Sequence, residues 1–136
     1  MKYMTKEWYE TIQEAYCKET SESAVNNYLN EYKKTFNDDE PVFIEKFCFH
    51  DCKVISQHQK ERDVVLKIDN SIGFTSIKKV IFKNCSILKQ DAPLHDAWWL
   101  YDEIYKIENG YEIHVLLLKK ELIDFIVSAT GVDYKN

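Results

Sequence analysis

A repeated His-Asp dipeptide divides the middle and end of this chain into two similar segments. The first copy is Phe49-His50-Asp51-Cys52 and the second is Leu94-His95-Asp96-Ala97, so the histidines at positions 50 and 95 lie 45 residues apart. The same offset aligns the apolar run at 80–82 with that at 125–127. An offset that holds at both ends of a segment, while the turns between vary, is typical of a duplicated supersecondary unit. The repeat therefore predicts two equivalent units, which span residues 49–88 and 94–133.

Each unit has the residue pattern of three antiparallel strands. In the first, alternating apolar residues predict strands at 53–59 and 63–69 around a tight turn at Glu61-Arg62, followed by a strand at 76–84. In the second, strands at 97–108 and 111–118 flank Asn109-Gly110, the dipeptide most typical of a type I′ hairpin. The last segment, 122–130, also has helical spacing. Its counterpart in the first unit is β-branched and aromatic, so we predict a strand.

Two helices are predicted before the repeat. Apolar residues at helical spacing, which include Tyr16, predict the first over 5–18, with Thr5 as its N-cap. The second is predicted to begin near Thr20, Ser21 or Ser23 and to carry one apolar face, formed by Val25, Tyr28, Leu29, Tyr32 and Phe36. Pro41 then predicts a short helix through Phe47.

These elements predict a single α+β domain over residues 1–136. Its helical part spans 1–47. A six-stranded antiparallel sheet or partial barrel follows, made of two repeated three-stranded β-meanders. No linker, low-complexity tract or charge block divides the chain.

Composition and charge argue against several classes of function. The formal charge of −5 comes from 18 basic and 23 acidic residues, and no Lys/Arg run is longer than two. This argues against nucleic-acid binding and favours a basic protein partner. No apolar stretch reaches the ~18 residues that a membrane span needs, so we predict no membrane association and a cytoplasmic location. The four cysteines lack Cys-x-x-Cys spacing and read as reduced, packed thiols, and no motif implies a cofactor.

The opening segment resembles that of a known family. Residues 2–10, Lys-Tyr-Met-Thr-Lys-Glu-Trp-Tyr-Glu, together with the His-Asp dipeptide before a strand, resemble an uncharacterised bacterial family described only as a domain of unknown function. The resemblance covers the whole chain and implies a small cytoplasmic bacterial protein. It implies no reaction, partner or catalytic residue.

The two His-Asp pairs are the first candidate site. If His50, Asp51, His95 and Asp96 converge around a pseudo-twofold axis, two imidazoles and two carboxylates suit a divalent metal with an open coordination position. The structural alternative is that each aspartate accepts backbone N–H bonds at the turn into a strand, while the histidine packs or donates one hydrogen bond. We favour the structural alternative.

A second conceivable metal cluster overlaps the first His-Asp pair. Cys48, His50 and Cys52 alternate, so an extended chain would place them on one face, with Cys85 or His58 as a fourth ligand. The second unit keeps the histidine but lacks a counterpart of Cys52. We therefore predict no metal site here.

The hairpin across Asn109-Gly110 carries the candidate partner surface. With a two-residue loop, Tyr105 opposes His114 and Glu103 opposes Leu116, so one strand face combines aromatic and titratable groups. Tyr and Trp are common hot spots of protein interfaces. The candidate partner-binding residues are Trp99, Tyr101, Glu103, Tyr105 and His114, and the opposite face, with Trp98, Leu100, Ile104, Val115 and Leu117, reads as core.

Two alternatives compete with this partner surface. The N-terminal helices could cover it through Trp8, Tyr28 and Tyr32, which would make all of it core. Glu103 and His114 could instead serve as an acid/base pair. For a binding module we expect the helices to cover the Trp98 face and to leave the Trp99 face exposed.

The whole pattern favours a small non-enzymatic protein-binding module, such as an immunity protein or an inhibitor of a toxin enzyme. An acidic single domain with clustered aromatics suits this hypothesis, and the chain has no Gly-rich phosphate loop or recognisable nucleophile motif. The alternative is a metal-dependent hydrolase or metal-binding protein that uses the paired His-Asp motifs.

Overall fold

The chain folds into two helices followed by an antiparallel sheet, which confirms the predicted α+β class. The computed structural model describes residues 1–15, 18–37 and 39–136. Helix α1 spans Lys6–Glu14, helix α2 spans Lys18–Phe36, and a 3-10 helix spans Val42–Lys46. The strands are β1 (Lys53–Lys60), β2 (Asp63–Asp69), β3 (Lys79–Lys83), β4 (Ser86–Gln90), β5 (Trp98–Ile107), β6 (Gly110–Leu118), β7 (Leu122–Ala129) and β8 (Gly131–Lys135).

The sheet has eight strands rather than six, and it is open. Its strand order is β4-β7-β6-β5-β1-β2-β3-β8, so β4 and β8 are the two edges. Every neighbouring pair is antiparallel. The predicted six-stranded sheet or partial barrel is therefore wrong in strand number and in closure. β4 and β8 were not predicted because each is five residues long and follows the preceding strand after only one or two residues.

The repeat is visible in how the strands pair. β1 and β5 meet at Lys53 and Trp98, positions that differ by the same 45 residues as the two histidines. The strands β4 and β8, at 86–90 and 131–135, also differ by 45 residues. They cross over, because β4 pairs with β7 and β8 pairs with β3. Each unit is thus completed by the last strand of the other.

The helices follow their predicted pattern, but α1 ends at Glu14 rather than at 18, and α2 begins earlier than predicted. Thr5 caps α1 as predicted, since its side-chain oxygen accepts the backbone N–H of Trp8 at 3.1 Å. Helix α2 begins at Lys18, so the predicted caps Thr20, Ser21 and Ser23 lie inside it. Tyr16, predicted on the first helix, lies outside the described residues. No helix in the described part of the chain is long and apolar enough to cross a membrane.

Two apolar cores lie on opposite faces of β5. The larger core joins the inner face of the sheet to the buried rings of Phe36, Phe47 and Phe49. The smaller core packs the helices and the N-terminal segment against the outer face of β5, and its buried members are Met4, Trp8, Ile12 and Tyr28. The helices are therefore attached to the second unit of the repeat.

The β5–β6 hairpin turns one residue earlier than predicted. Ile107 pairs with Gly110, so the loop is Glu108-Asn109, and Asn109 has a φ of 65°. Gly110 has no positive φ and is already part of β6. The shift places Glu103 opposite His114 and Tyr105 opposite Glu112. The Asn-Gly signal therefore identified the hairpin but not its register.

Gly110 is required by a close approach of β7 rather than by the turn. A Cβ atom at Gly110 would lie 2.4 Å from the Ala129 carbonyl oxygen, whereas one at Gly131 would meet nothing within 4 Å. We expect Gly110→Ala to lower the free energy of unfolding by about 1–3 kcal/mol, because backbone must move. Gly131→Ala is the matched control and should leave stability unchanged or raise it by about 0.4–1 kcal/mol. Urea unfolding of both variants tests this, and equal effects would contradict it.

Candidate functional site

The two His-Asp pairs form the junction between β1 and β5. The His50 ring donates through Nδ1 to the Leu100 carbonyl oxygen, and the His95 ring donates to the Ile55 carbonyl oxygen at 2.6 Å. Leu100 and Ile55 are again 45 residues apart. Each histidine therefore joins its own unit to the first strand of the other.

Asp51 and Asp96 act through their backbone conformation. Their φ angles are 66° and 65°, in the left-handed region, which aspartate tolerates better than most residues. Their N–H groups donate to the carbonyl oxygens of Trp99 and Val54, each at 2.9 Å. In the described residues neither carboxylate accepts a backbone N–H bond, so the predicted Asx turn is wrong. Each carboxylate instead lies beside the histidine that precedes it. The distance from the ring Nε2 to the nearest carboxylate oxygen is 3.6 Å for Asp51 and 3.2 Å for Asp96.

The His-Asp pairs do not converge on a metal site. One pair contacts Leu100 and the other Ile55, at opposite ends of the β1–β5 junction. Across residues 1–15, 18–37 and 39–136, no three His, Cys, Asp or Glu side chains are grouped to hold a metal ion.

The cysteines described by the structure differ in exposure, and none belongs to a described group that could hold a metal ion. Cys48 is exposed, Cys52 is buried and Cys85 is half-buried. Burial raises the pKa of the Cys52 thiol to about 11, and burial likewise raises the pKa of Cys85 to about 11. Both are therefore protonated near neutral pH and are poor nucleophiles.

A β-bulge at Leu100 divides the predicted partner face. Trp99 pairs with Leu117 and Tyr101 pairs with Leu116, so the extra residue between them reverses the alternation of side chains. Trp99 is 0% exposed and packs in the larger core, while its neighbours Trp98 and Leu100 are half-buried. The prediction that Trp99 is exposed and that Trp98 and Leu100 are core is therefore wrong.

The two helices cover the rest of the predicted partner face. The Trp8 ring packs edge-on to Tyr101 at 5.1 Å between centroids, and Tyr28 packs edge-on to Tyr105 at 6.1 Å. The Tyr28 hydroxyl oxygen also accepts the backbone N–H of Ile104 at 3.0 Å. The helices thus cover the tyrosine face of β5, contrary to the arrangement expected for a partner surface there.

Glu103 anchors that cover. Its carboxylate is 0% exposed and accepts the backbone N–H groups of Lys2, Tyr3 and Met4 at 2.7–3.3 Å. The Tyr105 hydroxyl donates to the same carboxylate at 2.5 Å. Burial raises the pKa of Tyr105, and the hydrogen bond to Glu103 raises it further. Sequence reasoning missed this role, because the residues of β5 do not indicate which distant backbone N–H groups will donate to Glu103.

His114 does not form the acid/base pair with Glu103 that was the alternative to a partner surface. The His114 ring is bonded through Nε2 to Glu112 Oε1 at 2.7 Å, although Glu103 lies opposite it in the sheet. Burial lowers the pKa of His114, while the bond to Glu112 acts in the opposite direction. Glu103 is engaged by four other donors, so proton exchange between the two side chains is not supported.

Asp102 is a titratable group that sequence reasoning missed. It pairs with Val115, a member of the larger core, and its carboxylate accepts the Trp99 indole N–H at 2.9 Å. Burial raises the pKa of Asp102 to about 6, although the indole bond alone would lower it. Asp102 therefore changes charge close to neutral pH.

This shift predicts a pH dependence of stability. The folded state binds the Asp102 proton more tightly than the unfolded chain, whose aspartates titrate near 3.9. Protonated Asp102 therefore stabilises the folded state below about pH 4, and this stabilisation is lost as the pH rises through 6. We expect the free energy of unfolding of the native protein, relative to Asp102→Asn, to fall by about 2 kcal/mol between pH 4 and pH 7. Urea unfolding across this range measures the difference, and parallel pH profiles would contradict the prediction.

The most exposed apolar side chains inside the sheet region belong to one loop. Residues 70–78 join β2 to β3, and within them Phe74 is 84% exposed and Ile72 is 63% exposed. Residues 119–121 make the corresponding connection between β6 and β7. The two units therefore differ strongly here, because one has a nine-residue loop and the other a three-residue loop.

The loop is held in place by its own polar groups. Asp69 accepts the Ser71 N–H at 3.0 Å, Asn70 donates to the Ile77 carbonyl at 3.0 Å, and Thr75 accepts the Ile77 N–H at 3.1 Å. Gly73 packs so closely on the buried Cys52 that a Cβ atom would lie 2.4 Å from its sulfur. The loop is thus a defined structure that presents apolar side chains to solvent.

Comparison with known proteins identifies a family and no characterised relative. A family model described as "Protein of unknown function (DUF4085)" matches residues 1–125, so the chain belongs to that family. This agrees with the resemblance to an uncharacterised domain family. No curated protein and no solved structure matches the chain.

Proposed function

We propose that this member of the DUF4085 family is a non-enzymatic protein-binding module of the bacterial cytoplasm, the class to which immunity proteins and enzyme inhibitors belong. The observation that carries the proposal is the loop at 70–78, which exposes Ile72 and Phe74 from an ordered base. Binding residues commonly lie on loops held by a rigid scaffold. Exposed aromatic side chains are frequent hot spots of interfaces.

The asymmetry of the repeat supports this choice of loop. A duplicated unit needs only a short connection here, as residues 119–121 demonstrate. The longer loop buries Ile77 but leaves Phe74 and Ile72 in water. Such exposure gains no packing energy in the isolated chain, whereas contact with a partner would bury both side chains.

The metal-dependent hydrolase has less support. Both His50 and His95 use Nδ1 to bond backbone carbonyls, and their aspartates hold left-handed backbone at a strand junction. These contacts give the repeated His-Asp dipeptide a structural role at the junction of β1 and β5. The aromatic face of β5 is likewise explained by its contacts with the N-terminal segment.

Co-precipitation with a loop variant tests the proposal. The tagged native chain, the double variant Ile72→Ser/Phe74→Ser and the control Val42→Ser are incubated with lysate of the source cells, and the bound proteins are quantified. Val42 is 82% exposed but lies on the 3-10 helix, away from the loop in sequence. All three chains should unfold at similar urea concentrations, because exposed positions contribute little to stability.

The expected result is a protein retained by the native chain and by Val42→Ser but lost with the loop variant. The purified partner should then bind the native chain directly, with at least about 10-fold weaker binding to the loop variant, as for loss of a hot-spot residue. If every captured protein binds the loop variant and the native chain equally, the loop is not the partner surface.

A further inference from the structure

We propose that the partner presents an acidic protein segment, which docks on a row of lysines beside the loop at 70–78. This inference rests on the proposed binding function and adds the chemistry of the partner's docking segment. It differs from the basic partner that the net charge of −5 favours, because the local charge beside the loop is positive. The row is formed by Lys67 of β2, Lys79 of β3 and Lys135 of β8. The loop leaves the sheet after Asp69 and re-enters it at Lys79, so the row and the loop lie at the same end of the sheet.

The strand register places the three lysines on one face. Lys67 pairs directly with Lys79, and Lys79 pairs directly with Lys135. Residues directly opposite each other in antiparallel strands project from the same side of the sheet. Three positive charges therefore stand side by side across three neighbouring strands.

No salt bridge in the described part of the chain neutralises this row. Among the described residues, none of the three lysines forms a salt bridge. Asp69 accepts the Ser71 N–H at the start of the loop. Asp133 is opposite Ile81 on the same face, where it lines a depression with Lys79, Lys83 and Lys135, so one carboxylate stands beside the three lysines. Like charges directly opposite in a sheet are destabilising. An acidic partner would remove this repulsion.

Protection of a sheet edge explains only part of the row. Lysine on an edge strand discourages pairing with other chains, which accounts for Lys135 on β8. β2 and β3 are interior strands, so Lys67 and Lys79 have no such role. Their positions are better explained by a ligand of opposite charge.

The lysine row is accessible in the folded chain. Lys67 and Lys135 are exposed, and Lys79 is half-buried. With Lys78 and the exposed side chain of Ile55, they line a shallow depression. The helices occupy the outer face of β5 in the second unit instead. The depression therefore combines positive charge with apolar surface, as does the adjoining loop.

A protein segment fits this surface better than a nucleic acid or an anionic bilayer. The whole chain carries a formal charge of −5, which repels an extended polyanion beyond the patch. A short acidic segment meets only the local lysines. Its apolar side chains would also find Ile72 and Phe74, which a phosphate backbone would leave uncovered.

Peptide selection on the full chain tests this inference. A phage-displayed random peptide library is selected against the native chain, and enriched peptides are synthesised and titrated by fluorescence anisotropy. We expect acidic sequences with interspersed apolar residues. Their binding should weaken at least about 10-fold in the variant Lys67→Glu/Lys79→Glu/Lys135→Glu and should weaken with added salt.

Two further variants control for charge and folding. Lys106→Glu/Lys119→Glu/Lys120→Glu makes the same change in net charge at exposed lysines elsewhere, and it should bind within about 2-fold of the native chain because long-range charge is screened. The Lys→Gln triple variant at positions 67, 79 and 135 removes the charges without reversing them. It should unfold at a higher temperature than the native chain and still lose binding.

The outcomes separate this inference from the binding function itself. Non-acidic peptides whose binding depends on Ile72 and Phe74 would overturn the acidic partner but support the loop. Selection of no peptide, or peptides insensitive to both the lysine and the loop variants, would overturn both. Tighter binding to phosphatidylserine vesicles or to a single-stranded oligonucleotide than to any selected peptide would overturn the protein partner in favour of a membrane or a nucleic acid.

Discussion

Replacement of Glu103 with alanine is expected to lower the free energy of unfolding by about 3–5 kcal/mol. The carboxylate accepts three backbone N–H groups from residues 2–4 and the Tyr105 hydroxyl, and it is fully buried. Its removal leaves these donors without their acceptor and detaches the N-terminal segment from β5. Urea unfolding of the native and variant chains measures the loss.

Glu108→Ala is the matched control for this experiment. Glu108 is exposed in the turn that follows β5, so its replacement should change stability by no more than about 0.5 kcal/mol. Glu103→Gln should fall between the two, because the amide oxygen can still accept some of the bonds. Equal losses for Glu103→Ala and Glu108→Ala would show that the buried carboxylate does not anchor the segment.

The second large effect is expected at Trp99. Trp99→Ala should cost about 3–5 kcal/mol, the range for large-to-small core substitutions, because the ring is fully buried among Phe47 and Phe49. It also removes the indole bond to Asp102. Trp98→Ala should cost only about 1 kcal/mol, because the Trp98 ring is half-buried and its one described cation–π contact is with Lys53, whose Nζ lies 5.1 Å from the ring centroid.

These adjacent tryptophans distinguish the observed register from simple alternation. Uninterrupted alternation along β5 would make Trp98 part of the core and Trp99 part of the surface. The bulge at Leu100 reverses that assignment. A larger loss for Trp98→Ala than for Trp99→Ala would therefore contradict the position of the bulge.

Local patterns predicted the helices and most strands. Helical spacing and the Thr5 cap located α1. The apolar face of α2 was recognised except for Leu29, which is 43% exposed, and the start of α2 was not. The segment 122–130 was ambiguous, and comparison with 80–85 through the repeat identified it correctly as a strand. The fold class therefore followed from periodicity together with the 45-residue offset.

The missed features depend on contacts between distant parts of the chain. The exchange of β4 and β8 between the units, the approach of Ala129 to Gly110 and the binding of residues 2–4 by Glu103 have no local signal. The bulge at Leu100 is local, but single-sequence alternation does not reveal an inserted residue. The aromatic strand was therefore recognised as important, and its cover by the helices through Trp8, Tyr28 and Tyr32 was predicted as the alternative to a partner surface.

The candidate binding surface is the loop at 70–78 rather than the predicted face of β5, again because of contacts between distant parts of the chain. Tyr101 and Tyr105 have the composition of an interface, and they do form one, but within the chain against Trp8 and Tyr28. The sequence indicates a turn at 70–73 and a strand from 76, whereas the structure has a loop over 70–78. Its significance emerged only when its three-residue counterpart, 119–121, was located in the other unit.

Hydrogen exchange of the Tyr3 and Met4 backbone amides, measured by NMR on the full chain, tests most directly whether the N-terminal segment closes the β5 face. Both amides donate to Glu103, so we expect exchange at least about 100-fold slower than in an unstructured peptide. Glu103→Gln should speed exchange at both sites. Exchange at the unstructured rate in the native chain would contradict the account, because the tyrosine face of β5 would then be open to a partner.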